Sequence, residues 1–245
     1  MKVIILCAGQ GIRTGFNYPK CLYRFSNGKT LIEKNLIAIK KAGFKNKDII
    51  FATGFKDILI KSITKNKYVY IFNRFYKSTN MVYSFYNVIR RFKSSDYLII
   101  YADIIFDFKD LLRIKKSKND IITLVDKDWL KKWREKKNYL NDLEELTIKK
   151  KKVLNIGKKT YKLKKIDGRF VGRTKFSKST INTLIYNDFF KNLLKENKKI
   201  DFTNLLMKLI NNKFHIYALE KKINWFEFDR KEDFVTYEKK LKIYN

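Results

Sequence analysis

Gly9, Gly11, Arg13 and Lys20 are the residue types that bind a phosphate, and they stand close together near the start of the chain. Glycines let backbone N–H groups approach an anion closely, and two cations add charge-assisted contacts. Lys20 follows Pro19, the single proline of the sequence, so it is presented from a stiff turn. The loop opens straight from the apolar run Val3–Leu6, which reads as a buried strand. The glycines alone would also suit an ordinary turn; strand, Gly-x-Gly-x-Arg and Pro-Lys together describe a phosphate cradle. No Gly-Lys-Ser/Thr follows, which excludes a P-loop, and the third glycine of the dinucleotide fingerprint is missing.

Two carboxylates are placed to complement such a loop. Asp103 lies just past the apolar run Tyr97–Tyr101, and ligands bind outside the carboxyl ends of parallel strands. Asp229 follows Trp225-Phe226-Glu227-Phe228, where alternation puts Glu227 and Asp229 on one face. One or two carboxylates suffice for Mg²⁺, which takes its other ligands from phosphate and water. Each aspartate could instead be a helix N-cap. Asn80 and Ser84 are one helical turn apart and can reach one pocket; a cap and a back-bonding serine are the alternative.

The elements that must position these residues alternate in type. Strands are expected at Val3–Leu6, Asp48–Thr53, Tyr68–Phe72, Tyr97–Tyr101 and Asp120–Val125, with Cys21–Phe25 a short apolar alternation. Helices are expected from Thr30, a capping-box residue with Glu33, to Gly43, and at Ile58–Ile63, Asn80–Phe92 and Lys109–Ile114. This rhythm implies βαβ units and a Rossmann-like, mostly parallel sheet flanked by helices. From Asp126 it changes. A tryptophan-bearing helix, Asp128–Lys136, precedes strand-like stretches at Leu143–Ile148, Lys152–Ile156, Tyr161–Ile166 and Arg169–Phe176. Residues of about 126–176 read as an inserted antiparallel lid within a single catalytic domain, 1–245. Helices at Ser179–Lys195 and Phe202–Asn211, strands at His215–Leu219 and Trp225–Phe228, and a helix from Arg230 complete the chain.

The N-terminal pattern resembles the nucleotidyltransferase signature Leu-Ala-x-Gly-x-Gly-x-Arg…Pro-Lys, with Cys7 in a small-residue position. Asn80-Met81-Val82-Tyr83-Ser84-Phe85 is similar to the Asn-x-x-x-Ser-Leu segment of small-molecule cytidylyltransferases acting on phosphocholine or 2-aminoethylphosphonate; phosphoglutamine is a third acceptor of this type. The stretch Asp167-Gly168…Gly172…Lys175-Phe176-Ser177 adds to the likeness, which covers nearly the whole chain. The resemblance implies a nucleotide-diphospho-sugar transferase-like α/β fold. It implies transfer of CMP from CTP to a small phosphorylated or phosphonate acceptor, releasing pyrophosphate. It gives catalytic roles to Lys20, Arg13 and Lys175. Nucleotide contacts fall to Leu6, Ala8, Gly9, Gln10, Gly11, Ile12, Arg13, Lys20, Asn80, Ser84, Ala102 and Asp103. Asp103 and Asp229 become ligands of Mg²⁺. Acceptor binding falls to Asp126, Trp129, Asp142, Glu144 and Glu227, because carboxylates beside an indole suit a cationic head group. The same indoles, Trp129 and Trp133 at i, i+4, could simply pack the lid onto the sheet.

The composition narrows the classes. With 45% hydrophobic and 16% aromatic residues the chain can build a core and is no disordered segment. No apolar run reaches membrane-spanning length and no secretory leader is apparent, so a cytoplasmic protein with no membrane partner is expected, and a homodimer is compatible with such a chain. Cys7 and Cys21 read as small buried residues in a reducing compartment. A formal charge of +32 invites a nucleic-acid surface, but the lysines are spread over the whole length in a chain rich in Ile, Asn, Phe and Tyr. Genome composition can produce that pattern with no selected partner, and no nucleic acid is expected as a partner. Two alternatives stand beside the leading one: a hexose-1-phosphate nucleotidyltransferase, which usually carries a Gly-Thr-Ala-type base segment, and a basic nucleic-acid-binding module.

Overall fold

The computed structural model describes residues 1–92, 95–134, 136 and 139–243, with side chains through residue 240. Four parallel strands form one half of the main sheet: β1 (Lys2–Cys7), β2 (Ile49–Thr53), β3 (Val69–Phe72) and β4 (Tyr97–Tyr101). In register, Ile5 lies between Phe51 and Ile100. Helices cover both faces, so these strands are continuous apolar runs with no polar side to alternate with. Val3, Ile5, Leu98 and Ile100 pack one core with α1 (Leu31–Lys41) and α4 (Phe108–Lys116). Ile4, Ile50 and Ile99 pack the other with α3 (Met81–Ile89) and α8 (Phe202–Asn211). The capping box of α1 is present: Glu33 N donates to Thr30 Oγ1 at 3.3 Å and Thr30 N to Glu33 Oε2 at 2.7 Å.

The antiparallel stretch is built into the same sheet. β6 (Ile121–Asp126), β7 (Glu144–Lys149), β8 (Lys152–Lys159), β9 (Arg169–Phe176) and β10 (Ile216–Lys221) complete the order β3-β2-β1-β4-β9-β6-β10-β8-β7. β9 runs antiparallel between β4 and β6, so the end of the expected insertion lies at the sheet's centre. β7 and β8 continue the edge past β10. A second, two-stranded sheet pairs β5 (Ile104–Phe106) with β11 (Trp225–Glu227). β5 is three residues long, too short for periodicity to reveal.

Other elements differ from expectation for local reasons. The stretch 161–166 holds a 3₁₀ turn, Leu163–Lys165, not a strand; only Ile166 bridges to Leu146. Residues 20–22 likewise form a 3₁₀ turn. The helix expected over Ser179–Lys195 is two, α6 (Lys178–Tyr186) and α7 (Phe189–Glu196), broken where Asp188 takes a left-handed φ of 51°. α5 spans only Trp129–Trp133, and part of the helix expected to Lys136 lies outside the described residues. α2 (Asp57–Ile63) and α9 (Lys231–Ile243) fall where expected. No helix among the described residues is long and apolar enough to cross a membrane.

Candidate active site

The loop after β1 lines a cleft of about 500 Å³ at the carboxyl ends of β1 and β4. Gly11 has a φ of 62°, conformational space that favours glycine, and starts the 3₁₀ turn Ile12–Thr14. Thr14 Oγ1 donates back to Gly11 O at 2.7 Å, and Lys56 Nζ holds Asn17 O and Oδ1 at 2.7 and 2.9 Å. Pro19 then sets the turn that begins at Lys20. Leu6, Ala8, Gly9, Gln10, Gly11, Ile12, Arg13, Lys20, Asn80, Ser84, Ala102 and Asp103 all line this one cleft.

The two aspartates meet because β5 and β11 pair. Ile104 stands opposite Glu227, and Phe228 N donates to Asp103 O at 2.9 Å, which leaves Asp103 beside Asp229 across the ribbon. Lys20 Nζ lies 2.5 Å from Asp103 Oδ2 and 3.6 Å from Asp229 Oδ1; Arg13 Nη1 lies 2.6 Å from Asp229 Oδ2. Two oxygens sharing one ammonium in this way are no more than about 6 Å apart. Mg–O bonds of about 2.1 Å require about 4 Å or less, so a shared ion needs the two carboxylates to draw together.

The charged groups of this cluster shift one another. Burial raises the Asp229 carboxyl above its ordinary range and Glu227 adds to this, against the pull of Lys20 and Arg13. Burial works to lower the Lys20 pKa, but Asp103, through charge and a hydrogen bond, with Asp229 and Glu227, outweighs it and holds the ammonium above its ordinary range. No group of three or more His, Cys, Asp or Glu poised for a metal is found among the described residues. Asp103 and Asp229 form a carboxylate pair, whose chemistry fits an ion that draws its remaining ligands from phosphate and water and does not fit a closed protein cage.

A second chamber of about 340 Å³ adjoins the first and shares Arg13, Asn80, Met81, Tyr101 and Asp229 with it. Asp142, Glu144, Glu145, Asp201 and Glu227 line its wall. Four of these have partners. Glu145 pairs with Lys165 at 2.7 Å, Asp142 with Arg169 at 3.2 Å and Glu227 with Lys136 at 3.4 Å. Asp201 caps α8, accepting from Asn204 N at 2.8 Å. Glu144 has no hydrogen-bonded or ion-pair partner for its side chain among the described residues. Burial raises its pKa to about 7; Arg169 opposes this, while Asp142, Asp201 and Glu227 reinforce it. In Glu227 burial is outweighed by Lys136, Arg169 and Lys20, and the carboxyl is held below its ordinary range. Arg169 stacks over Trp133 at 3.8 Å, so its guanidinium is fixed at the chamber's rim.

Three expected site residues lie elsewhere. Asp126 is fully buried and structural: it accepts from Trp225 Nε1 at 2.7 Å, Asp128 N at 3.0 Å and Ile223 N at 3.3 Å, and pairs with Lys132 at 2.7 Å. It ties the end of β6 to β11. Trp129 is buried in the core on the α1 face, the packing role its spacing to Trp133 allows. Lys175 sits at the far end of the sheet. β9 runs opposite to β4, so its N-terminal residues reach the site, while Lys175 pairs with Leu98 and Ile122 and donates to Ser117 O. Asp201 and Asn73 are among the lining residues the sequence reading did not single out. Asp201 carried a readable signal, an Asp before a helix, but nothing that placed it at this chamber. Asn73, in the first cleft, carried none.

Fold and cleft together describe an α/β protein with a cation-bearing glycine loop over a carboxylate pair at the carboxyl end of a parallel sheet. The MobA-like NTP transferase domain matches residues 3–155, and the chain belongs to that family. It is 30% identical to the CTP:phosphoglutamine cytidylyltransferase of Campylobacter jejuni subsp. jejuni serotype O:2, covering 95% of this chain and 97% of that one. Two solved structures share the fold. The inositol-1-phosphate CTP transferase of T. maritima has a TM-score of 0.71 at 17% identity, covering 95% of this chain and 90% of that one. The CTP:phosphocholine cytidylyltransferase of Streptococcus pneumoniae has a TM-score of 0.71 at 22% identity, covering 98% of each.

Proposed function

We propose that this protein transfers CMP from CTP to a small phosphorylated or phosphonate acceptor that bears a positive charge, releasing pyrophosphate. The observation that carries the reading is the junction at Asp229: a cation-bearing glycine loop over a carboxylate pair opens directly onto a chamber lined by carboxylates. The likeness to the phosphoglutamine enzyme supports the choice of CTP and of an acceptor with an amino group.

Nucleotidyl transfer is positioning and charge stabilisation more than covalent chemistry. Lys20 holds the α-phosphate, and Arg13 with the loop amides holds the β- and γ-phosphates. Asp103 and Asp229 would hold Mg²⁺, which when bound neutralises the triphosphate and the charge developing on it. An oxygen of the acceptor's phosphate or phosphonate forms the new bond to Pα. The bond from Pα to the bridging oxygen of the β-phosphate breaks, and pyrophosphate leaves with its electron pair. No general base is required, because that oxygen is already anionic near neutral pH; the sole histidine, His215, stands just before β10 and away from both chambers. Glu144, Asp201 and Glu227 attract the acceptor's cationic group. The setting we propose is the reducing cytoplasm, where Cys7 and Cys21 remain the free thiols they are here.

The experiment is pyrophosphate release across the four NTPs with Mg²⁺, against phosphocholine, 2-aminoethylphosphonate, phosphoglutamine and glucose 1-phosphate. The reading expects CTP with an amino- or ammonium-bearing acceptor to be fastest. Preference for glucose 1-phosphate would favour the hexose-1-phosphate alternative.

A further inference from the structure

Asn73 lies just past β3, is 1% exposed, and has no place in the mechanism above. Its orientation is fixed by chemistry. Phe75 N donates to Asn73 Oδ1 at 3.0 Å, and a backbone N–H can only donate, so that atom is the oxygen and the amide nitrogen faces the other way. Nδ2 then donates to two hydroxyls, Thr79 Oγ1 at 3.0 Å and Ser84 Oγ at 3.0 Å. Thr79 passes its own proton to Phe75 O at 2.8 Å, so its hydroxyl is used in both directions. Ser84 is different. It is 2% exposed, lines the nucleotide cleft, accepts from Asn73, and finds no acceptor for its own proton among the described residues.

We infer that Asn73 is a positioning residue for base choice, holding the Ser84 hydroxyl so that its proton is offered to the nucleobase. The inference rests on the proposed function: the resemblance counts Ser84 among the nucleotide contacts, it lines the cleft, and we place the base against it. A pyrimidine whose ring nitrogen is an acceptor, as in cytosine N3, takes that proton. In uracil the same nitrogen carries a hydrogen. To accept it, the Ser84 hydroxyl must turn a lone pair toward the cleft, and its proton is then buried with no acceptor, a state that costs the full desolvation of a donor. Among NTPs of equal size, the arrangement therefore selects CTP over UTP.

The test compares kcat/KM for CTP and UTP in the wild type, Asn73→Ala, Ser84→Ala and the double variant, with melting temperature followed in parallel. Each single substitution is expected to lower the CTP:UTP ratio by roughly tenfold. If Asn73 acts through Ser84, the double variant falls no further than Ser84→Ala. Asn73→Asp is the second route should Asn73→Ala not fold. One carboxylate oxygen still accepts from Phe75 N, the other accepts the Ser84 proton instead of supplying one, and the ratio should fall toward UTP. A purely structural role would lower the melting temperature and slow both nucleotides equally, leaving the ratio unchanged; that result overturns the inference, as do losses that multiply in the double variant. A wild type that does not discriminate between CTP and UTP is a separate outcome, and it overturns the cytidine reading itself.

Discussion

The two chambers that meet at Asp229 are built in opposite ways. The cleft over β1 and β4, the proposed nucleotide site, draws its cations from one short stretch, Gly9 to Lys20, laid over the ends of two adjacent parallel strands. The acidic chamber gathers Asp142 and Glu144, Asp201, and Glu227 from three places on the chain, at the ends of β7, α8 and β11. In the cleft, opposite charges neutralise one another: Lys20 and Arg13 sit on Asp103 and Asp229. In the chamber, Glu144 faces like charges and is left without an ion-pair partner among the described residues. If the proposed roles hold, the transfer chemistry depends on local loop geometry, while acceptor choice depends on tertiary convergence. The two should therefore be separable by mutation.

The largest expected effect is in the cleft. Lys20→Ala should lower kcat by about 10²–10³-fold, the scale seen when one preorganised charge-stabilising donor is lost. The fold should survive, because Lys20 lies on a turn. Steady-state kinetics with a parallel melting curve checks this, and a fully active variant would break the division of labour.

An effect of comparable size, on stability and not on turnover, belongs to a residue of neither chamber. Asp126→Ala leaves the Trp225 indole and the Asp128 and Ile223 amides without their acceptor and Lys132 without its ion pair, and should cost about 3–5 kcal/mol of stability. Denaturant unfolding measures it. The acceptor KM of the protein that remains folded should not move; if it does, Asp126 belongs to the chamber after all.

Glu144 should produce a smaller effect, confined to the acceptor. Glu144→Gln should raise the acceptor KM by about tenfold, the scale of one charge-assisted contact, and leave the CTP KM unchanged. Its pKa of about 7 gives a pH signature. The carboxylate that attracts a cation forms as pH rises, so the wild-type acceptor KM should fall through pH 7, and the variant should lack that step. Stability runs the other way. Between the ordinary 4.5 and about 7 the folded protein holds a proton that the unfolded chain has lost, so this group's contribution declines as pH rises through that window. Melting curves at several pH values should show a decline that Glu144→Gln removes.

The smallest expected effect is that of Lys175→Met. With its ammonium donating to Ser117 O at the far end of β9, turnover should stay within about twofold, as for substitutions away from the reacting groups.

What was legible in the sequence follows the same contrast. The Val3–Leu6 strand, the glycine loop and Pro19-Lys20 are contiguous, so local rules located them. Alternating strands and helices gave the parallel half of the sheet, because apolar runs between turn residues have few other readings. The convergence of Asp103 with Asp229 depends on β5, three residues that carry no periodicity, though the strand-end position of each aspartate was readable. The chamber was less accessible. Its acids were sought near Trp129 because they are close in sequence, yet Asp126 and Trp129 point into packed interior while Asp201, far along the chain, lines the wall. Lys175 misled for a topological reason: its segment matches a motif, but only the antiparallel direction of β9 shows which end of the strand faces the site. Asn73 could not have been found from sequence, since its significance lies in two hydroxyls that folding brings to its amide.

The most direct test of the central claim is the phosphorus spectrum of the completed reaction. Purified protein with CTP, Mg²⁺ and the best amino-bearing acceptor should yield free pyrophosphate and, in equal amount, a product whose two phosphorus nuclei are coupled through a shared oxygen, the new link between the CMP phosphorus and the acceptor. Release of orthophosphate with no coupled pair, or pyrophosphate formed at the same rate without acceptor, would contradict it.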